Sequence, residues 1–465
     1  MARTVCTNDG GRLVSRVSSA RSVALDVIIA TRESDAYANL LLPVRISRAR
    51  LTDADIGLAT ELTYGTLRLQ GYYDRVIALA AGRDVATIDP PVLDVLRLAC
   101  HQLLSMRVAT HAAVDESVEL AKTVASRSAV GFTNGVLRTI SRTDADTWRE
   151  RVLATARSGE EALAFEYSHP LWIVRAIRQV LTAEGREAEL ESALIADNVP
   201  PRVSATALPG LSHRVELPGT PAEYSPVGVR LDHGDPSRVP AISEGRARVQ
   251  DEGSQLAALA LSRARAITPG ERWLDLCAGP GGKSALLAAE ALAGGASFIA
   301  NEPVPARAGL VRNALAAVDP TIEVWERDGR QIGADYPGQF DRILVDAPCT
   351  GLGALRRRPE ARWRKQPSDV AGLGGLQAAL LTSALDALAP GGLLAYVTCS
   401  PHAAETKAIV TSVLRALPSV TRVNTQDVLA TITSEPLDLP PGEHVQLWPH
   451  RHGTDAMFIQ LLTKA

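Results

Sequence analysis

The 465-residue sequence contains few cysteines, lysines and aromatic residues. Its five cysteines, at 6, 100, 277, 349 and 399, are widely spaced and form no Cys-x-x-Cys pair, which argues against a disulfide framework or a zinc site. No apolar run approaches the roughly 18 residues that a membrane helix needs. The N-terminal residues lack the apolar core of a signal peptide. We therefore expect a cytoplasmic protein with neither a metal ion nor a membrane partner.

A strong excess of either charge is also missing. The chain has 49 basic and 52 acidic residues, for a net charge of −3. This balance excludes a uniformly basic nucleic-acid-binding protein. It leaves open a local basic cluster, because a total says nothing about position.

The length indicates several domains. Polar residues 1–20 are typical of a flexible basic arm, and apolar residues at helical spacing predict an all-α domain over 21–142. Residues 143–164 are charged and rich in alanine, which favours a linker. Residues 165–250 begin with helical segments and continue with eight prolines, which indicates a small α+β module.

Strand and helix patterns alternate within the last predicted domain, residues 251–465. The predicted strands are 272–279, 296–302, 321–328, 340–349 and 392–400, and the predicted helices are 282–293, 304–317, 369–389 and 402–417. Such alternation with near-continuous apolar strands predicts an α/β Rossmann-like domain with a mostly parallel, doubly wound sheet. The tail has the alternation of a closing antiparallel hairpin.

The segment LDLCAGPGGKS joins the first strand to the first helix. It is not a P-loop, because Cys277 stands where that motif needs glycine, and Ser284 breaks the dinucleotide fingerprint. An acidic residue followed by small residues suits a cofactor with a cationic centre and no pyrophosphate. Glu302 and Asp328, at the predicted ends of the next two strands, could accept hydrogen bonds from ribose hydroxyls and an adenine amino group. The pattern indicates S-adenosylmethionine. The predicted cofactor-binding residues are Asp275, Cys277, Ala278, Gly279, Pro280, Gly281, Gly282, Lys283, Glu302, Asp328 and Asp346.

Two cysteines close predicted strands at the edge of the sheet where ligands bind. Cys349 ends FDRILVDAPC, and Cys399 ends GLLAYVTCS. A thiolate that adds to carbon 6 of cytosine makes carbon 5 nucleophilic enough to attack a methyl donor. Asp346 could hydrogen-bond the base at N3 or at the amino group. One of the two cysteines is therefore predicted to be the nucleophile.

The blocks LDLCAGPGGKS, FDRILVDAPCTGLGALRRRPEARW and YVTCS resemble the bacterial ribosomal-RNA 5-methylcytosine methyltransferases of the RsmB, Sun or Fmu type. Upstream, ELTYGTLR, LRLACHQLLSM, THAAVDESVELAK and FTNGVLRTI resemble the NusB-like RNA-binding domain of that branch, so that the resemblance covers about 20–465. It implies Cys399 as the nucleophile and Cys349 as an assistant in proton removal or product release. It also implies contacts with the methyl donor from the loop 277–283, Glu302, Asp328 and Asp346. The sequence departs from the family pattern at Gly279, where alanine is common, and at Glu302, where aspartate is usual. It also departs in the segments PPRVSATALPG and PHRHGTDAMF.

A basic run follows the Asp-Ala-Pro-Cys motif. We predict that it binds RNA, with the aromatic ring stacking on a base. Its members are Arg356, Arg357, Arg358, Arg362, Trp363, Arg364 and Lys365. The predicted partner is small-subunit (16S) ribosomal RNA, bound by a monomer. Two alternatives are a tRNA substrate and a non-catalytic RNA-binding or antitermination factor.

Overall fold

A computed structural model describes residues 19–34, 36–232 and 234–465, and the chain divides into two compact units after Ser168. The predicted basic arm lies outside the described residues, apart from its last two positions, which begin the first helix. Cys6 also lies outside them.

The first unit is helical throughout the part that the structure describes, and its helices bury two adjoining apolar clusters. Side-chain caps at Thr52, Ser126, Asp144 and Ser158 fix the starts of four helices. The helices are α1 (Ser19–Glu33), α2 (Ala38–Ala49), α3 (Asp53–Arg68), α4 (Gln70–Ala81), α5 (Pro90–Leu104), α6 (Thr110–Val124), α7 (Arg127–Ser141), α8 (Ala145–Leu153) and α9 (Gly159–Glu166).

The segment 143–164 differs from the linker predicted there, because it forms α8 and α9. Trp148 is 2% exposed, and its indole N–H donates to the carbonyl of Ile140 at 3.0 Å. Val152, one turn further, is fully buried in the same cluster. Two apolar anchors among charged residues give too weak a periodic signal for sequence analysis to detect.

The second unit begins with a small α+β module. Its elements are α10 (Leu171–Ala183), α11 (Leu190–Ala196), β1 (Ser204–Ala207), β2 (Gly219–Pro221), β3 (Gly228–Leu231), α12 (Pro240–Ser243) and β4 (Ala247–Val249). The four strands form an antiparallel sheet in the order β2-β3-β1-β4. Ala205, Val229 and Ala247 form its small core.

The rest of the second unit is an α/β domain. Its strands are β5 (Arg272–Asp275), β6 (Ser297–Asn301), β7 (Val324–Trp325), β8 (Phe340–Asp346), β9 (Leu388–Thr398), β10 (Val420–Val423), β11 (Val445–Gln446) and β12 (Phe458–Lys464). Its helices are α13 (Glu252–Ser262), α14 (Gly282–Ala293), α15 (Pro305–Leu315), α16 (Ile332–Asp335), α17 (Ala361–Arg364), α18 (Pro367–Ala387), α19 (Lys407–Ala416), α20 (Thr425–Ala430) and α21 (Pro449–His452).

The sheet order is β10-β12-β9-β8-β5-β6-β7, with β11 paired to β12. Strands β5 to β9 are parallel, and β12 runs antiparallel to β9, β10 and β11. Along β8, Leu344 packs into the apolar cluster on one face, whereas Ile343 and Val345 pack into the cluster on the other. Both faces are thus covered, and the predicted Rossmann-like fold with an antiparallel C-terminal hairpin is confirmed.

The edges of this sheet depart most from the prediction. Strand β7 has two residues instead of eight, and β10 was not predicted at all. An Asx turn at Asp319 precedes β7, and Asp328 caps a short helical turn after it. The backbone on both sides of β7 therefore turns away from β6, and only two residues pair with it.

One helix in the described part of the chain, α18, is long and apolar enough to cross a membrane. The core of the domain accounts for this composition, because Leu380, Leu381, Ala384 and Leu385 pack into one of its buried clusters.

Candidate active site

The glycine loop begins at Asp275, the last residue of β5. The Asp275 carboxyl is 1% exposed and accepts hydrogen bonds from the Ser284 hydroxyl at 2.7 Å and the Cys277 N–H at 3.3 Å. Burial raises the pKa of Asp275 to about 7. Asp275 therefore ties the two ends of the loop together, and its predicted contact with the cofactor stays a prediction.

The loop then turns tightly into α14. Gly281 has φ 102°, and a Cβ there would lie 2.5 Å from the Cβ of Ala314 on α15. Glycine is therefore needed both for the backbone conformation and for the packing of the two helices. Helix α14 begins directly after the loop, and the N–H groups of a first helical turn lack partners within their helix. Within the loop, the N–H groups of Cys277, Ala278 and Gly281 are bonded to the protein itself. Ala278, Pro280 and Gly282 complete this loop.

Glu302 directly follows β6 and lies beside the loop. Its side chain is 3% exposed, accepts the N–H of Val304 at 3.1 Å and pairs with Arg307 at 3.4 Å. Arg307 also donates to the carbonyl of Gly279 at 2.8 Å. The structure thus places Glu302 and Gly279 together at one wall of the predicted cofactor site.

Asp328 is placed differently from the prediction. It lies three residues beyond β7 rather than at its end, is exposed, and binds Arg330 through both carboxylate oxygens. The Arg330 hydrogen bond holds the pKa of Asp328 below its usual value.

Lys283 and Asp346 form an ion pair across the strands, with Nζ 2.8 Å from Oδ2. Burial lowers the pKa of Lys283, but the charge and hydrogen bond of Asp346 outweigh it, so that the pKa is raised overall. The pair places one fixed positive and one fixed negative charge beside the cysteines.

The two predicted catalytic cysteines lie in contact. Cys399 follows β9 directly, Cys349 lies three residues beyond β8, and their sulfur atoms are 3.4 Å apart. The hydrogen bond between the thiols, followed by burial, raises the pKa of Cys349. The same bond lowers the pKa of Cys399 against its burial and the charge of Asp346, and the charges of Lys283 and Arg358 add smaller lowering effects. The environment therefore favours a Cys399 thiolate that accepts a hydrogen bond from a protonated Cys349.

Sequence reasoning missed Glu405, which is fully buried behind the cysteines. It accepts hydrogen bonds from Thr350 and Ser400, the residues that follow Cys349 and Cys399. Its only signal was a lone acidic residue six positions after Cys399, inside a segment predicted as helix.

The prediction that the basic run binds RNA requires its side chains to be accessible, and only some of them are. Arg356 and Arg357 form ion pairs with Asp251 and Asp455, with N–O distances of 2.6 to 3.1 Å. Arg362 is fully buried and donates to Asn198 at 2.9 Å. These three guanidinium groups bind other parts of the protein, because buried arginine must be paired; their predicted contact with RNA is therefore corrected. Of the other members, Arg358 is exposed, whereas Trp363, Arg364 and Lys365 are half-buried.

Within the described residues, no group of three or more histidine, cysteine or acidic side chains could hold a metal ion.

Comparison with known proteins identifies both units. Residues 264–463 match the family described as "16S rRNA methyltransferase RsmB/F", and residues 18–142 match the NusB family. The chain is 47% identical over 450 residues to the "Putative methyltransferase Rv1407" of Mycobacterium tuberculosis, with 96% of each chain covered. It is 30% identical over 467 residues to the "Ribosomal RNA small subunit methyltransferase B" of Pseudomonas putida, with 97% of this chain and 98% of the other covered.

A solved structure has the same fold. The crystal structure of PH0851 superposes with a TM-score of 0.78 at 22% identity, covering 96% of this chain and 98% of the other.

Proposed function

Since the chain belongs to the RsmB/F family of ribosomal RNA methyltransferases, we propose that it methylates carbon 5 of a cytosine in 16S ribosomal RNA through a covalent adduct on Cys399. The family membership confirms an RNA methyltransferase that uses S-adenosylmethionine. The target base and the covalent route are the parts that we propose.

The observation that carries the proposal is the pair of sulfur atoms 3.4 Å apart, next to the Lys283–Asp346 ion pair. A nucleophile is activated where neighbouring groups lower its pKa. Cys399 meets this condition and Cys349 does not, because their shared hydrogen bond shifts the two pKa values in opposite directions.

The residues of the loop suit the methyl donor. Glu302 places a buried carboxylate beside the loop, where it can accept ribose hydroxyls, and Asp346 adds negative charge that suits a sulfonium cation. When bound, S-adenosylmethionine supplies an electrophilic methyl group. We assign its binding to the loop 277–283 together with Glu302, and Asp275 holds that loop in place.

The chain's own residues then perform the steps on the base. The Cys399 thiolate adds to carbon 6 of cytosine, forming a carbon–sulfur bond, and carbon 5 gains the electron density with which it would take the methyl group. The methyl–sulfur bond of the bound donor would break, with both electrons staying on the donor sulfur. Asp346 hydrogen-bonds the base at N3 or at the amino group. A base removes the carbon 5 proton, the carbon–sulfur bond breaks, and Cys399 leaves as thiolate. Cys349, held protonated, stabilises that departing thiolate through its hydrogen bond.

We assign RNA binding to the NusB-like unit, to the α+β module and to Arg358, whose charge already acts on Cys399. The target cytosine must leave any helix to reach the thiolate, so we expect an unpaired or flipped base. A cytoplasmic monomer fits this reaction.

Bisulfite sequencing of total RNA tests the proposal. In cells that lack the protein, one methylated cytosine of 16S ribosomal RNA should become fully convertible. The wild-type chain should restore it, and the Cys399→Ala variant should not. Loss of a tRNA site instead would support the alternative substrate, and an unchanged RNA profile would exclude both.

A further inference from the structure

Glu405 is buried between the two loops that carry the cysteines. Its Oε1 accepts the backbone N–H of Thr350 at 2.8 Å and the amide of Gln377 at 3.3 Å. Its Oε2 accepts the hydroxyls of Thr350 at 2.5 Å and Ser400 at 2.6 Å. One side chain therefore bonds to the residue that follows each cysteine.

The sheet itself does not fix the distance between the two sulfur atoms. The β8–β9 ladder ends at the pair Asp346 and Val397, and the last backbone hydrogen bond beside it runs from Ala347 N–H to the Val397 carbonyl. Cys349 lies two residues further, in a loop without ladder partners. Beyond this point, the described links between the loops are the Gly353 N–H bond to the Cys399 carbonyl at 2.8 Å, a long hydroxyl contact between Thr350 and Ser400 at 3.5 Å, the sulfur contact itself and the bonds to Glu405. Glu405 supplies the shortest of the side-chain links.

Glu405 is also held from behind. The Tyr396 hydroxyl donates to its backbone carbonyl at 2.9 Å, and Gln377 bonds both to its carboxylate and to the carbonyl of Pro348. A buried group that is bonded in this way is rigid, because any movement breaks several hydrogen bonds between buried groups at once.

We propose that Glu405 is a positioning residue that holds the Cys349 and Cys399 loops together, so that the two sulfur atoms stay in contact. That Glu405 keeps the two sulfur atoms in contact does not depend on the proposed function. That this contact matters for methylation rests on the proposed function. Glu405 touches neither the base nor the methyl donor in this assignment; it acts through Thr350 and Ser400.

A trivalent arsenical, phenylarsine oxide, measures the juxtaposition directly in the full-length protein. One arsenic atom bonds to both sulfur atoms and releases water, so that tight binding requires two thiols close together. Wild-type protein should bind one equivalent by intact mass. Glu405→Ala should weaken the binding at least about tenfold, because the loops separate and the effective concentration of the second thiol falls.

Two variants separate positioning from loss of folding. Glu405→Gln keeps an oxygen for the two N–H donors and an NH₂ that the hydroxyls can accept, so arsenical binding should be retained. Glu290→Ala removes another buried carboxylate, which is 7% exposed and pairs with Arg263 instead, and it should also leave the binding unchanged. Melting temperatures establish that each variant is folded. Unchanged binding by folded Glu405→Ala, or no binding by the wild type, would overturn the proposal.

Methylation kinetics on the same proteins connect the geometry to catalysis. Glu405→Ala should lower kcat and leave KM for S-adenosylmethionine unchanged, because Glu405 does not contact the glycine loop; Glu405→Gln should recover most of kcat. An equal change in KM would contradict a positioning role. If the arsenical series behaves as expected but no RNA is methylated by the wild type, the proposed function fails and the positioning role stands.

Discussion

Glu302 fills the space that a side chain at Gly279 would need. A Cβ on Gly279 would lie 2.2 Å from Glu302 Oε2 and 2.8 Å from a nitrogen of Arg307. Glu302 cannot easily move away, because it is buried and bonded on both carboxylate oxygens. Gly279 and Glu302, two of the places where this sequence departs from the expected family pattern, are therefore one matched pair, in which the missing Cβ makes room for the longer acid.

This pairing predicts that substitutions at Gly279 and Glu302 have non-additive effects on the affinity for S-adenosylmethionine. Gly279→Ala should weaken S-adenosylmethionine binding about tenfold, because overpacking costs ~1–3 kcal/mol and each 1.4 kcal/mol is a factor of ten. Glu302→Asp in the same chain should restore most of the affinity, because it removes one methylene from the clash. Isothermal titration calorimetry measures both. Gly309→Ala, with open space around its Cβ, is the control and should bind like the wild type. Additive losses in the double variant would contradict the pairing.

The cysteine pair predicts an asymmetric trap. Cys349→Ala should accumulate a covalent protein–RNA adduct, visible as a denaturant-resistant band, because the hydrogen bond that stabilises the departing Cys399 thiolate is lost. Cys399→Ala should form none, because no nucleophile remains. The measurement is gel electrophoresis after incubation with RNA and S-adenosylmethionine.

Cys100→Ala serves as the control for this trap, because Cys100 is fully buried in the helical unit. It should form no lasting adduct and should turn over normally. If the adduct instead depends on Cys349, the roles of the two cysteines are reversed.

Local signals predicted the centre of the fold well. The helix 282–293 has the predicted bounds, because the glycine loop fixes its start. Strand β10 was missed because its four residues pair only with β12, some 40 positions later in the chain. Long-range pairing of this kind leaves little trace in a short window.

The sequence indicated which residues belong to the candidate site but not which partners their side chains bind. Cys399 and Glu302 directly follow strands, and Lys283 lies in the first turn of α14, as their positions in the sequence suggested. A run of arginines, however, gives no indication of which members are paired inside the protein, since Asp251 and Asp455 lie about 100 positions away on either side. Glu405 was invisible for the same reason: its role depends on Thr350, whose position next to it follows from the sheet topology.

The raised pKa of Asp275 predicts a pH-dependent stability. An acid whose pKa is higher in the folded state stabilises the fold below its unfolded pKa, and this contribution is lost as the pH rises through the folded value. As the pH rises from 3.8, the usual pKa of an aspartic acid, to about 7, the folded-state pKa of Asp275, the wild type should therefore lose stability relative to Asp275→Asn. The loss is at most about 4 kcal/mol. Chemical denaturation of both proteins between pH 4 and pH 8 measures the difference.

Asp319→Asn is the opposite control. Asp319 is half-buried, and the Thr321 hydrogen bonds lower its pKa from the usual 3.8, so the wild type should lose stability relative to this variant as the pH falls below 3.8, which is opposite in direction to the effect at Asp275. A pH-independent difference for Asp275→Asn would show that the carboxyl is ionised throughout.

The cluster of Asp251, Asp455, Arg356 and Arg357 predicts a large effect of one substitution. Asp455 accepts both guanidinium groups, and its own N–H donates to Asp251 at 3.0 Å, so Asp455→Ala leaves two shielded arginines with a single carboxylate. Removing one partner from a buried ion-pair network costs about 3–5 kcal/mol, because the remaining charge is uncompensated. Urea denaturation of the full chain should show this loss at low and at high salt, since screening does not reach buried charges.

The exposed pair of Glu326 and Arg312 provides the comparison: Glu326→Ala should cost no more than about 1 kcal/mol. Equal effects of the two substitutions would mean that the arginines of the run are solvated after all, and would restore Arg356 and Arg357 as candidates for RNA contact.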